Sequence, residues 1–217
     1  MLNMDFDQRV VIETEDKDWE SSPAPGVWRK RLAREEAEQG HATSIVRYDP
    51  GARFASHPHP KGEEILVLSG TFSDHRGDFH AGAYLRNPPG YDHAPFSENG
   101  CTLLVKLHQF AENDTAQVAI DTQSEPWLPG QGNLKVMPLH EFEGEHVALV
   151  HWPKGEQFLF HRHAGGEEIY VISGKLADEH GEYPTGTWLR SPHMSTHQPF
   201  AIEETTIWVK VGHLHEA

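Results

Sequence analysis

The 217-residue chain carries 33 acidic against 18 basic residues, a formal net charge of −15, and a single cysteine, Cys101. That balance argues against nucleic acid or an anionic membrane as a partner, and one cysteine excludes an internal disulfide framework or a cysteine-built zinc finger. No basic start followed by an apolar run opens the chain and no apolar stretch approaches a membrane span, so a cytoplasmic protein is expected.

Glycine and proline punctuate the sequence roughly every eight to twelve residues, and the stretches between them are rich in Val, Ile, Leu, Tyr and Trp. This is the pattern of an all-β sandwich or barrel. In chain order the predicted strands are 43–48, 53–57, 64–69, 83–86 and 102–108, then 147–152, 157–161, 168–173, 187–190 and 206–211. Residues 29–39 have good helix propensity, but their counterpart near Pro138 reads as strand, turn and strand, so a hairpin is expected in both places. Residues 118–133, with Pro126, Pro129, Gly130 and Gly132, read as a connection. The expected division is a first domain over 1–120, a linker over 121–132 and a second domain over 133–217. The strand from Glu63 to Ser69 is apolar on both faces, with Ile65 and Val67 on one side and Leu66 and Leu68 on the other. Its outer face is expected to pack on the other domain, the N-terminal segment or a second subunit, and a homodimer is the expected assembly.

His57, His59, Glu63 and His93 recur as His161, His163, Glu167 and His197, each displaced by 104 positions. The frame around them recurs at the same offset: Gly51/Gly155, Gly70/Gly174, Gly82/Gly186, Arg86/Arg190, Pro88/Pro192 and Pro95/Pro199. The chain therefore reads as a duplicated domain with two candidate metal centres. Residues two apart on a strand point to one side, so His57 and His59 project inward together while Pro58 points away. A turn through Pro60 and Gly62 brings Glu63 back to the same ion, and His93 completes the set.

Three imidazoles and a carboxylate without a thiolate suit a borderline divalent ion: zinc first, with iron, manganese, nickel or cobalt as the alternatives. At the second site Met194 replaces Gly90 and His193 replaces Pro89, a change that threatens the turn delivering His197. Arg86/Arg190 and Lys106/Lys210 also repeat, and read equally as anion binders near the metal or as partners of local acids. Tyr84/Trp188 and Phe96/Phe200 read as core or pocket walls, Cys101 as a small strand residue, and His213 and His215 as the histidines outside the clusters most deserving a role.

The motif G-x5-H-x-H-x3-E-x6-G is matched by Gly51, His57, His59, Glu63 and Gly70, and G-x5-P-x-G-x2-H by Gly82, Pro88, Gly90 and His93. Both are matched again from Gly155 to His197, departing at Met194; Ser97 and Ala201 stand where the second motif often ends in Asn. These resemble the cupin motifs, and HPHPKGEEILVLSGTFSD with HRHAGGEEIYVISGKLAD is similar to the cupin domain of ChrR-type anti-sigma factors. The resemblance implies two tandem jelly-roll (double-stranded β-helix) barrels, each holding a metal, zinc in the family's best-known member. It also implies a helical sigma-binding domain with its own His/Cys zinc motif, for which this chain has no matching sequence, so a sigma-factor partner is not expected. Two roles stay open: a metal or ligand sensor, or a metal-dependent enzyme of dioxygenase type acting on an enolisable diketone or a phenol held in the barrel.

Overall fold

In the computed structural model residues 1–36 and 40–214 are described. Among them a three-residue 3-10 turn at Thr14–Asp16 is the sole helical element, and no helix is long and apolar enough to cross a membrane. The rest is antiparallel strand and loop, arranged as two β-units.

In the first unit one sheet runs in the order Val118–Asp121, Ala83–Asn87, Glu63–Asp74, Cys101–Leu107, Ala42–Tyr48, Val27–Arg34, Glu20–Ser21. Facing residues of these strands bury a cluster around Val27, Tyr48, Ile65, Val67, Phe72, Leu85 and Leu103. In the second unit the order is Val10–Glu13, Thr187–Ser191, Glu167–Ser173, Thr205–Val211, Glu145–Trp152, Lys135–Phe142, Leu128–Pro129, over a cluster around Trp152, Ile169, Val171, Leu176, Leu189 and Ile207. Alternation along each strand puts every second residue into its cluster.

The hairpin expected near residues 29–39 is present: Val27–Arg34 pairs with Ala42–Tyr48, as Lys135–Phe142 pairs with Glu145–Trp152. Residues 37–39 lie outside the described residues. Sheet pairing outweighs the modest helix propensity of RKRLAR, because a half-buried strand gains contacts that an isolated helix lacks. Two expected strands are corrected. Residues 53–56 and 157–160 are loops touching their neighbours through the bridges Arg53↔Phe96 and Gln157↔Phe200, and the strands themselves are the shorter His57–His59 and His161–Arg162.

The compact units also divide the chain differently from the 1–120, 121–132 and 133–217 partition. Residues 5–16 cluster with 126–217, and 17–125 with 1–4. Ile12 lies opposite Trp188 on the edge of the second sheet, as Ile120 lies opposite Tyr84 on the edge of the first. Part of the expected connection, Val118–Asp121, is therefore an edge strand of the first barrel. The exchange obeys the repeat: Phe110 lies under Arg86 at 4.0 Å, and Phe6, 104 residues earlier, lies under Arg190 at 4.7 Å.

The outer faces are buried as well, with Leu66, Tyr84 and Leu104 in the first barrel and Tyr170, Trp188 and Trp208 in the second. On this face sit the repeated cations. Arg86 pairs with Glu64 at 3.4 Å and Asp114 at 2.5 Å; Arg190 donates to the Asp5 carbonyl; Lys106 donates to Thr43; Lys210 pairs with Glu145 at 2.8 Å. Of the two readings of these cations, pairing with local acceptors is the one observed, and it is deeply buried rather than exposed. Tyr84 and Trp188 donate to Glu64 and Glu168 on the same side, and His213 pairs with Glu168 at 3.0 Å. His215 lies outside the described residues. Phe200 is 37% exposed and so is no core wall, while Cys101 is buried with its thiol pushed up to about 11 by that burial.

Candidate metal centres

Each cluster is assembled by one short ladder. His57–His59 pairs antiparallel with Tyr91–His93, so His57 stands directly opposite His93; His161 stands opposite His197 in the same way. The carboxylate enters from the next strand after a turn whose glycine is obligatory. Gly62 has φ +78°, and a Cβ there would run into the Phe110 ring. Gly166 repeats the conformation at φ +70°.

The donor atoms converge. His59 Nε2 and His93 Nε2 are 2.9 Å apart, and each is 3.4 Å from Glu63 Oε2. In the second barrel His163 Nε2 and His197 Nε2 are 2.9 Å apart, at 3.5 and 3.4 Å from Glu167 Oε2. Donors about 2.1 Å from a common ion span edges of roughly 3.0 Å at right angles and roughly 3.4 Å at the tetrahedral angle. The observed spacings match that range. All four donors of His161, His163, Glu167 and His197 lie within 4.8 Å of one another; in the first barrel the three histidines do so, and Glu63 approaches two of them.

Proton positions follow from the partners. His57 Nδ1 faces the Ala55 carbonyl at 2.9 Å, and His161 Nδ1 the Leu159 carbonyl at 2.8 Å. A carbonyl only accepts, so Nδ1 carries the proton and Nε2 offers its lone pair inward. His93 and His197 are fixed likewise, donating from Nδ1 to Asp74 (3.3 Å) and Asp178 (3.1 Å). Lone pairs and a carboxylate oxygen pressed together without a cation repel one another, and the Glu167 Oε2 atom is buried with no hydrogen-bond partner. The donor set thus fits a divalent cation.

Burial lowers the pKa of His59 and drives that of His163 down to about 3, keeping both rings neutral as metal ligands require. Burial also pushes Glu167 up to about 7. Asp178 is subject to the same burial, but the bonds from His197, Tyr183 and the His180 backbone outweigh it and hold the carboxyl near 2. Asp74, bonded by His93 and Arg76, is held well below the usual carboxylate range.

The two aspartates were not singled out in the sequence, although 178 − 74 is the same 104. Their supports differ: Arg76 and Tyr91 bond Asp74, whereas Tyr183 and Arg9 bond Asp178. A second difference concerns the glutamates. Asn87 donates to Glu63 Oε2 at 2.9 Å, while the residue paired with Glu167 is Ser191. The threatened turn of the second site is intact: Met194 takes φ +62° where Gly90 has +86°, and their amides bond the carbonyls of His163 and His59 respectively. His193 accepts from the Gly165 amide at 2.8 Å and stabilises the same corner.

A cavity of about 200 Å³ opens on His57, His59 and Glu63, and one of about 510 Å³ on His161, His163 and Glu167. Neither Arg86, Lys106, Arg190 nor Lys210 lines them.

The model of the ChrR Cupin-like domain matches residues 7–111 and again 115–215. The chain belongs to that family. It is thus a bicupin, and both matched segments contain one complete donor set. No curated protein matches the chain in sequence. Among solved structures it is similar to a provisionally named dioxygenase of Nostoc punctiforme PCC 73102, at 16% identity over 97% of this chain and 85% of that one, with a TM-score of 0.79. It is also similar to Ylba of E. coli (11%, 100% and 95%, TM-score 0.75) and to the Bacillus subtilis oxalate decarboxylase OxdC (17%, 95% and 78%, TM-score 0.66). At such identities the likeness concerns the fold.

Proposed function

We propose that each barrel binds one divalent cation, through His57, His59, Glu63 and His93 in the first and His161, His163, Glu167 and His197 in the second. We further propose that the chain is a metal-dependent enzyme acting on a small molecule. The observation that carries this reading is that each donor set forms one wall of a cavity large enough for organic ligands, instead of being sealed on all sides. A bound cation supplies Lewis acidity, and iron or manganese adds one-electron chemistry. The protein's own share is to keep His59 and His163 neutral, hold the rings of His93 and His197 through Asp74 and Asp178, and surround the substrate with apolar walls such as Phe54, Phe72 and Leu103.

The dioxygenase-type reaction on an enolisable or phenolic substrate is the finer form of the proposal. The manganese centres named for the B. subtilis oxalate decarboxylase lend support to a redox-capable ion over zinc. A sensor is the second reading, favoured by the family's description as ChrR cupin-like. Metal analysis of protein purified without added metal, followed by oxygen uptake of the iron form on diketones and catechols, separates the two. Substrate-dependent uptake is the result expected of the enzyme; two zinc ions per chain with no uptake by any metal form would support the sensor instead.

A further inference from the structure

Behind the metal-binding wall that they share, the two cavities are built differently. The second measures about 510 Å³ against about 200 Å³ for the first, and falls within the roughly 300–1,000 Å³ usual for organic-ligand sites. Three of its wall positions carry smaller side chains. Phe72 and His108 of the first cavity become Leu176 and Gly212 at the 104 offset. Arg29 lies opposite Val46 as Val136 lies opposite Val150, so by register a valine stands where the first barrel has an arginine. The interior is apolar as well: Leu134, Ile169 and Ile207 are buried around it, whereas Gln131, His146 and Arg162 are exposed and so sit at its rim. Among the described side chains, the one buried polar group on this wall outside the donor set is the Trp152 indole. Its Nε1 is buried with no hydrogen-bond partner, although a buried tryptophan N–H usually has one. Tyr48, at the same place in the first cavity, has a hydroxyl that donates or accepts, while an indole only donates. Trp152 packs on Phe158 at 6.0 Å and Phe158 on His161 at 4.8 Å, so the indole belongs to the same aromatic wall as the donor set. An occupant of this cavity with an acceptor atom would satisfy the orphaned N–H.

We propose that the second cavity selectively binds a largely apolar small molecule whose oxygen accepts a hydrogen bond from Trp152 Nε1, and that Trp152 selects for that oxygen. Burial of the apolar body supplies the affinity and the single donor fixes the orientation, the usual division of labour in such pockets. The first cavity, smaller and with Arg29, Tyr48 and His108 on its wall, does not take the same ligand. The proposal deepens the enzymatic reading, since it names the substrate class of the second metal site and rests on that reading for the ligand being turned over.

The test is equilibrium dialysis of the zinc-treated full chain against 1-tetralone, a bicyclic ketone, and against tetralin, the same skeleton without the oxygen. One equivalent of 1-tetralone per chain is expected to bind. Trp152→Phe is expected to weaken 1-tetralone about fivefold relative to tetralin, the worth of one net hydrogen bond, with tetralin reporting the change of packing alone. Val150→Trp, which fills the second cavity, is expected to abolish binding, and Val46→Trp, its counterpart in the first, to leave it unchanged. An unchanged ratio in Trp152→Phe, full binding in Val150→Trp, or two equivalents or none on the wild type would overturn the assignment; should a variant not fold, the wild-type stoichiometry and the remaining variants decide. Metal content measured on the same samples separates the two proposals. A chain that binds 1-tetralone as expected but holds no metal contradicts the enzymatic reading, whereas a metal-loaded chain that fails these binding tests contradicts this one.

Discussion

Replacing Asp178 by Asn removes the charge behind His197 while keeping the shape of the side chain. The carboxylate is buried, accepts from His197 Nδ1 at 3.1 Å and from Tyr183 at 2.5 Å, and is held near pKa 2, so it is ionised at any working pH. It both fixes the ring and makes Nε2 a better donor, and loss of such a partner costs about 10–100-fold in metal affinity, or about 1.4–2.8 kcal/mol. Arg9 touches the same carboxylate at 3.3 Å, but its side chain is 27% exposed, so Arg9→Gln is expected to weaken binding by about fivefold at most. The assay is zinc competition against a chromogenic chelator in a His59→Ala background, where only the second barrel binds. The expected order of affinity is wild type, then Arg9→Gln, then Asp178→Asn. Equal affinities for wild type and Asp178→Asn would refute the role given to this aspartate.

Met194 occupies a left-handed conformation at φ +62°, where Gly90 sits in the first barrel. Met194→Gly is expected to raise stability by about 1 kcal/mol in chemical denaturation, the relief of strain exceeding the entropy that glycine adds to the unfolded chain. Cys101 is buried with a thiol pKa near 11, so at pH 8 it is protonated and shielded. A thiol reagent is expected to leave the native chain unlabelled and to titrate one group after unfolding.

The two clusters are legible in the sequence because duplication turns a pattern into its own control: one His-x-His proves little, while three histidines and a glutamate repeated at one offset leave few other readings. Asp74 and Asp178 share that offset but do not stand out, since carboxylates are abundant in a chain with 33 of them and lack the specificity of paired histidines. Which barrel each edge strand joins is not legible, for a different reason. Sequence similarity starts near residue 7 and restarts near 115, yet residues 5–16 build the second barrel and 118–121 the first. The repeating stretch and the compact unit are out of phase, and a one-dimensional pattern carries no sign of which sheet edge a strand joins. The hairpin at Val27–Arg34, by contrast, was recovered from its counterpart against local propensity.

Metal content per chain, measured by mass spectrometry, tests most directly whether two separate cations bind, one per barrel. The wild type is predicted to hold two equivalents, His59→Ala and His163→Ala one each, and the double variant none. Two equivalents retained in both single variants would contradict it.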